Sequence, residues 1–196
     1  ALVKRTIDCA LELEPYFKGK PKVITHPGAM SLRTKIFADS LREALEKSLA
    51  ELQEHQGYEK VELLFENLPP YPWYFGGQWK GNFFMDGEEI RDFCAQNELS
   101  ICFDLSHAAL YCNAKEKDLK EMVELLLPYT RHLHLADGYG LDGEGVQFGE
   151  GDIDLEAIMP LFSGYTGTWV PEIWRGHLED GKGFKTGLRI LQKWMT

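Results

Sequence analysis

The sequence has few cysteines and no long hydrophobic run, and both shortages limit what it can be. The four cysteines, Cys9, Cys94, Cys102 and Cys112, show no CxxC spacing, which predicts reduced core thiols of a cytoplasmic protein. No apolar stretch approaches the roughly 18 residues that a membrane span needs. No signal-peptide pattern opens the sequence. We therefore expect neither a membrane protein nor a disulfide-stabilised secreted one.

Basic residues are also in short supply. The chain carries 21 Lys and Arg against 31 Asp and Glu, a formal net charge of −10. Proteins bind nucleic-acid backbones by neutralising phosphates with Lys and Arg, so this balance argues against a nucleic-acid partner unless a locally basic groove exists. A small molecule is the expected partner.

What the sequence does contain is four apolar stretches that each end on side chains able to bind a metal. Each is typical of a buried strand that emerges on polar residues at its carboxyl end. The stretches cover residues 61–67, 100–107, 132–137 and 168–172. Their shared pattern predicts one site built across the ends of neighbouring strands.

Helical spacing of apolar residues separates these strands, so the chain is predicted to alternate strands and helices. A fifth strand is expected at 22–28, and helices at 1–16, 31–55, 86–97, 115–127, 154–162 and 184–194. Residues 69–87 are expected to form a long aromatic-rich loop, and residues up to 151 a glycine-rich one. Such alternation predicts a parallel sheet whose functional residues lie at the carboxyl ends of the strands.

A closed barrel brings four consecutive strand ends to one point more readily than an open doubly wound sheet. A (β/α)8 barrel needs about 250 residues and eight strands, whereas this chain has 196 residues and five predicted strands. We therefore expect residues 1–196 to be a single α/β domain, a partial (β/α)8 TIM barrel. The chain begins inside a predicted helix, and we expect that further strands precede it.

These motifs resemble the xylose-isomerase-like TIM-barrel superfamily, which holds sugar isomerases, ketose 3-epimerases, inosose dehydratases and endonuclease-IV-type phosphodiesterases. The resemblance rests on five phrases in order, each after a strand: residues 66–68, 104–107, 134–137, 149–154 and Glu172. It implies that strands four to eight of the barrel are present and the first three absent. We expect the chain to be a fragment of a complete barrel rather than a part that a second chain completes.

The resemblance also implies a metal site. The epimerase branch holds one divalent ion with Glu, Asp, His and Glu, which match Glu66, Asp104, His134 and Glu172. Oxygen ligands with one imidazole suit Mn²⁺, Co²⁺, Mg²⁺ or Zn²⁺. Glu66 and Glu172 would also be the catalytic base and acid on opposite faces of the sugar. Each carboxylate taken alone could instead cap a helix or join a surface ion pair.

Four further residues are candidates for contact with the substrate. In the family, the position of His107 touches the substrate, and His26 precedes a Pro-Gly pair like that of the phosphodiesterase branch. Trp73 and Arg175 lie in loops expected to overhang the site. The aromatic loop could stack on a sugar, pack on the barrel or form a subunit interface, which would make the protein a homo-oligomer. His132 fits a core histidine that supports His134.

The expected function is a metal-dependent sugar isomerase or epimerase of carbohydrate metabolism, acting by proton transfer next to a carbonyl through a metal-bound enediolate. Two alternatives stay open: a keto-polyol dehydratase of the same superfamily, and a non-catalytic or truncated barrel that binds a ligand. An endonuclease-IV-like phosphodiesterase is the weakest alternative, because Gly143 and Gly145 stand where the multi-zinc branch of the superfamily carries an Asp-x-His pair.

Overall fold

A five-stranded parallel sheet forms the centre of the computed structural model, which describes residues 1–16, 18–28, 30–32 and 38–195. Strands are, in chain order, β1 Lys22–Thr25, β2 Met30–Ser31, β3 Glu62–Glu66, β4 Trp73–Tyr74, β5 Gly77–Gln78, β6 Lys80–Gly81, β7 Ile101–Asp104, β8 Thr130–Leu135, β9 Asp137–Tyr139, β10 Gly143–Val146 and β11 Thr168–Pro171. Helices are α1 Leu2–Leu13, α2 Ala38–Gln53, α3 Gly87–Asn97, α4 Leu105–Lys115, α5 Leu119–Leu126, α6 Leu155–Ile158 and α7 Leu178–Leu191.

The order of strands in the sheet follows their order in the chain. The sheet reads β1-β3-β7-β8-β11, and every neighbouring pair is parallel. Helices between the strands cover the sheet, so β3 and β7 are almost wholly buried and read as unbroken apolar runs. This is the parallel half-barrel that the alternation predicted, and the partial TIM barrel is confirmed.

The helix predicted at 115–127 is present as α5, with its ends shifted, whereas the helix before it was not predicted. This helix, α4, begins directly after β7, where the carboxylate of Asp104 accepts a hydrogen bond from the backbone N–H of His107 and caps the helix. All residues of α4 from Leu105 to Cys112 are buried. A helix buried all round has no polar face, so it lacks the periodicity that marks an amphipathic helix.

Other elements depart from the predictions at their ends. In the segment predicted as a helix at 31–55, the chain instead forms β2 at its start and α2 from Ala38, while residues 33–37, including Ile36, lie outside the described residues. In the last helix, α7, the residues Glu179, Asp180 and Gly181 have left-handed backbone angles. The regular part of this helix therefore begins after Gly181. Short 3₁₀ turns lie at Glu14–Tyr16, Tyr58–Lys60, Leu127–Tyr129 and Met159–Phe162.

The two predicted loops over the carboxyl ends of the strands contain short strands. Within 69–87, β4 and β5 form an antiparallel hairpin and β6 pairs with β2. Within 137–151, β9 and β10 form a second antiparallel hairpin. In the described part of the chain, no helix combines the length and the apolar character that crossing a membrane requires.

Candidate metal centre

The carboxyl ends of four neighbouring strands bring Glu66, Asp104, His134 and Glu172 together. One oxygen or nitrogen atom from each of the four lies within 4.8 Å of the others. The register of the sheet explains this, because Asp104 pairs directly with His134. Val170 is also the partner of His134, which puts Glu172, just beyond β11, at the same edge.

The Nδ1 atom of His134 lies in the middle of this four-residue cluster. It is 2.6 Å from Oε2 of Glu172, 3.2 Å from Oε1 of Glu66 and 4.0 Å from Oδ2 of Asp104. Glu66 and Asp104 are buried, whereas the Glu172 side chain is 57% exposed. The cluster is therefore closed toward the sheet and open toward a pocket above it.

Asp104 has two roles at once. Its Oδ1 atom accepts hydrogen bonds from the Ser106 hydroxyl at 2.8 Å and from the His107 backbone N–H at 2.7 Å. Its Oδ2 atom faces His134. The first oxygen holds the start of α4, and the second is free to turn toward an ion.

The charges of the cluster favour a cation. Burial acts to raise the pKa of Glu66, but hydrogen bonds from His134 and His26 outweigh it and the pKa is lowered. Burial raises the pKa of Asp104 even though the charge of His107 opposes it. Burial acts to lower the pKa of His134, but hydrogen bonds with Cys102, Glu172 and Glu66 outweigh burial and raise it.

The donor set fits a divalent metal ion. Three carboxylates supply hard oxygen ligands, and one imidazole supplies nitrogen, the combination found with Mn²⁺, Mg²⁺, Co²⁺ and Zn²⁺. The exposed Glu172 and the open pocket leave coordination positions for a ligand. Glu66, Asp104, His134 and Glu172 are therefore the residues that would hold it.

His26 and His107 lie against the cluster. His26 Nε2 is 3.4 Å from Glu66 Oε2, and His107 Nδ1 is 3.6 Å from Glu66 Oε1. His107 also donates to the backbone carbonyl of Asn67 at 2.9 Å. Burial acts to lower the pKa of His107, but the carboxylates of Asp104, Glu144 and Glu66 raise it to about 10. His107 is therefore a cationic group at the wall of the pocket.

One pocket of about 650 Å³ contains the cluster and all four predicted substrate contacts. Its walls include His26, Trp73, His107, Arg175 and His177. His132 lies deeper, where its Nδ1 is 2.6 Å from the Thr168 hydroxyl. Burial and the neighbouring His134 lower the pKa of His132 to about 4, as in a neutral core histidine.

Two residues of the site, Glu144 and Cys102, were not predicted, and Tyr74 was expected only as part of the aromatic loop. Glu144, on β10, places Oε2 3.2 Å from His107 Nε2. Tyr74 places its hydroxyl 3.3 Å from His26 Nδ1. Cys102 lies close to Glu66 and His134. Only the place of Cys102 could have been inferred from the sequence. It stands two residues before Asp104 on one strand, so the two side chains lie on the same face.

Comparison with known proteins agrees with this architecture. A family model described as "Xylose isomerase-like TIM barrel" matches residues 1–194. A comparison with curated protein sequences found no match.

Solved structures with the same fold include two described as epimerases. A D-tagatose 3-epimerase-like protein aligns with a TM-score of 0.68 and 21% identity over 98% of this chain and 69% of that one. An L-ribulose 3-epimerase aligns with a TM-score of 0.73 and 15% identity over 99% of this chain and 66% of that one. Endonuclease IV from Thermus thermophilus aligns with a TM-score of 0.58 and 23% identity over 89% of this chain and 61% of that one. The chain thus spans 61% to 69% of the length of these proteins.

Proposed function

The chain belongs to the xylose isomerase-like TIM barrel family, and on that premise we propose that it is a divalent-metal-dependent sugar isomerase or epimerase. The observation that carries the proposal is the cluster of Glu66, Asp104, His134 and Glu172, whose ligand atoms lie within 4.8 Å of one another. Sugar epimerases among the structural neighbours support the substrate class.

The bound ion would act as a Lewis acid that polarises a sugar carbonyl and so acidifies the neighbouring C–H. Glu66 and Glu172 supply the proton-transfer groups. Glu66 is buried and kept ionised by the histidines around it, so a carboxylate oxygen of Glu66 can take the proton from carbon. Glu172 approaches from the end of β11 and, in its protonated form, can give a proton to the other face of the resulting enediolate; its exposed carboxyl group then takes up a new proton from solvent.

The pocket walls suit a polyhydroxylated substrate. His107 and His26 place ring nitrogens beside Glu66, where they can hydrogen-bond to substrate oxygens. Trp73 presents an aromatic face that can stack on the C–H face of a sugar. Arg175 stands at the wall as a further hydrogen-bond donor.

A phosphodiesterase is less well supported. Gly143 and Gly145 stand where the multi-zinc branch carries an Asp-x-His pair, so two ligands of an additional metal ion are missing. The net charge of −10 would also repel a nucleic-acid backbone.

The four cysteines are free and three of them are buried, which supports a cytoplasmic location.

The first test is the metal content of the purified chain, measured by element, beside Glu172→Gln and Glu150→Gln. Glu150 is an exposed glutamate outside the cluster and serves as the matched control. We expect about one Mn, Co, Mg or Zn ion per chain in the unaltered and Glu150→Gln proteins, and weak binding of Mn, Co or Mg in Glu172→Gln. Equal content of Mn, Co or Mg in all three proteins would contradict the assignment of Glu172.

The second test is uptake of solvent deuterium by candidate sugars. Proton abstraction next to a carbonyl exchanges the C–H with solvent, so deuterium should appear in the substrate with the unaltered chain and not with Glu66→Gln. A keto-polyol dehydratase would begin with the same proton removal, and loss of a hydroxyl from the product would identify it. A metal-loaded chain that exchanges no sugar proton would leave a binding domain as the better explanation.

A further inference from the structure

A cysteine lies directly beneath the four-residue cluster. Cys102 pairs with Glu66 across β7 and β3, and it stands two residues before Asp104, on the same face of β7. The potential ligand atoms of Glu66, Cys102 and His134 all lie within 4.8 Å of one another. Glu66 and His134 thus belong to two overlapping ligand groups.

We propose that Cys102, Glu66 and His134 form an inner position for a thiophilic divalent ion such as Zn²⁺ or Cd²⁺. The outer position is the one that Glu66, Asp104, His134 and Glu172 would form. The inference rests on the proposed metal centre, since both positions use Glu66 and His134. One ion at a time can be held, so occupation of the inner position prevents occupation of the outer one.

The chemistry of the two ligand groups separates metals by softness. Thiolate ligands select Zn²⁺ and related soft ions, whereas carboxylate ligands suit Mg²⁺ and Mn²⁺. Cys102 would bind as a thiolate, so its thiol proton is released to solvent as the metal–sulfur bond forms. Bonds of about 2.0–2.3 Å to nitrogen, oxygen and sulfur put the ligand atoms of a tetrahedral ion roughly 3–4 Å apart, and the three ligand atoms here lie within 4.8 Å of one another. A thiophilic ion should therefore move inward, and Mn²⁺ should stay outside.

An ion in the inner position would lie further from the pocket than an ion in the outer one. Glu66 and His134 line the pocket and serve both positions, but Cys102 is 0% exposed and is not part of the pocket wall. A bond to Cys102 would therefore draw the ion away from Asp104, from Glu172 and from a substrate carbonyl in the pocket. We therefore expect Zn²⁺ and Cd²⁺ to inhibit the chain in the presence of Mn²⁺ by taking Glu66 and His134 away from the outer position.

The test uses metal-free chain with Cys9→Ser, because Cys9 is the exposed thiol. Cadmium chloride is added, and the ultraviolet charge-transfer band of a cadmium–thiolate bond is followed. Binding of Mn²⁺ is measured in parallel by electron paramagnetic resonance. We expect a cadmium band that saturates at one ion per chain, disappears in Cys102→Ser and persists in Glu172→Gln. Cadmium affinity should fall at least about tenfold in Cys102→Ser, as metal sites lose affinity by this much when even a supporting group is removed.

The two proposals fail in different ways. A cadmium band that is absent, or that survives Cys102→Ser, overturns the inner position, whatever Mn²⁺ does. Failure of Mn²⁺ to bind, beside a Cys102-dependent cadmium band, overturns the outer centre and leaves the inner position standing. Retained Mn²⁺ binding in Cys102→Ser shows that this variant is folded.

A second measurement needs no variant. X-ray absorption fine structure of the zinc-loaded chain should show one sulfur at about 2.3 Å from zinc. A zinc environment of oxygen and nitrogen alone would overturn the inner position.

Discussion

The side-chain amide of Asn67 forms two reciprocal hydrogen bonds with the backbone of Asp104. Its Oδ1 accepts from the Asp104 N–H at 2.7 Å, and its Nδ2 donates to the Asp104 carbonyl at 2.9 Å. Asn67 follows β3 directly, so the amide continues the pairing of β3 with β7 beyond the last strand residues. This contact sets the distance between Glu66 and Asp104, two ligands of the outer position.

We predict that Asn67→Ala lowers both stability and metal affinity. The substitution leaves two buried backbone groups of Asp104 without partners, which should cost about 2–6 kcal/mol of unfolding free energy at about 1–3 kcal/mol for each group. Affinity for Mn²⁺ should fall about 10- to 100-fold because a ligand loses its support. Urea unfolding and titration calorimetry measure the two effects. An unchanged Mn²⁺ affinity would show that Asn67 supports the fold but not the site.

Asp137 organises the glycine-rich segment after β8. Its carboxylate is fully buried and accepts four backbone N–H groups. They belong to Gly138 at 2.9 Å, Gly149 at 2.9 Å, Gly151 at 3.2 Å and Ile153 at 3.2 Å. Gly151 leaves no room for a Cβ atom, which would overlap the Asp137 carboxylate and the Gly138 carbonyl. The carboxylate thus folds residues 149–153 back onto β9.

We predict that Asp137→Asn destabilises the chain by about 3 kcal/mol or more, because an N–H₂ group would then face backbone donors inside the protein. Hydrogen exchange at Gly149 and Gly151 should accelerate, and urea unfolding should report the lost free energy. Asp152→Asn is the control. Asp152 lies in the same segment but accepts one recorded hydrogen bond, from the exposed Gly140 N–H at 2.7 Å. Equal losses in the two variants would show that the buried carboxylate has no special role.

The sequence was most informative where one strand shows both an apolar run and a polar residue at its carboxyl end. Glu66, Asp104, His134 and Glu172 each follow an apolar run, and parallel strands must bring their carboxyl ends to one edge. Their convergence could therefore be anticipated before the register was known. The helix α4 could not, because its buried faces hide the helical period.

Contacts that depend on register or on hairpins were beyond the sequence. Cys102 lies beside Glu66 because β3 and β7 align these two positions, and a shift of one residue would turn the cysteine to the other face. Glu144 reaches His107 only because β10 folds back over the strand ends. Nothing in the local sequence around Glu144 specifies that return.

Asp86 joins the start of α3 to the end of α4. Its Oδ1 accepts from the backbone N–H groups of Glu88 and Glu89, and its Oδ2 accepts from the Tyr111 hydroxyl at 2.9 Å and from Lys117. Burial acts to raise the pKa of Asp86, but the hydrogen bonds from Lys117 and Tyr111 outweigh it, and the pKa lies below its ordinary value of 3.8.

We predict that this carboxylate makes stability depend on acid pH. Because the pKa of Asp86 is lowered by folding, its contribution is complete above the unfolded value near 3.8 and is lost as pH falls through the folded value. Asp86→Asn should cost about 1 kcal/mol at neutral pH, less than a fully buried charged bond because the side chain is partly exposed. Urea unfolding at successive pH values should show this difference shrinking in acid.

Asp118→Asn is the matched control, since Asp118 caps α5 through the N–H groups of Lys120 and Glu121. This variant leaves the contacts of Asp86 in place, so the acid dependence that those contacts produce should persist in it. A difference between Asp86→Asn and the unaltered chain that is constant with pH would show that the contact is not electrostatic.

A single carboxylate ties together the two hairpins that overhang the pocket. Asp142, between β9 and β10, accepts hydrogen bonds through Oδ2 from Trp73 Nε1 at 3.2 Å and from Gln78 Nε2 at 2.7 Å. Trp73 and Gln78 are directly paired in the β4–β5 hairpin. Because Trp73 lines the pocket, the position of its ring depends on this contact.

We predict that Asp142→Ala releases the β4–β5 hairpin while leaving the metal centre intact. The contact is partly exposed, so unfolding free energy should change by no more than about 1 kcal/mol. Fluorine NMR of fluorotryptophan-labelled chain, with the Trp73 signal assigned by Trp73→Phe, should show that signal moving toward the position of a solvent-exposed ring. Asp142→Asn keeps an oxygen acceptor and should shift the signal less. Mn²⁺ affinity should stay unchanged, because Asp142 belongs to neither ligand group. An unmoved Trp73 signal in Asp142→Ala would mean that the hairpin holds its position without the carboxylate.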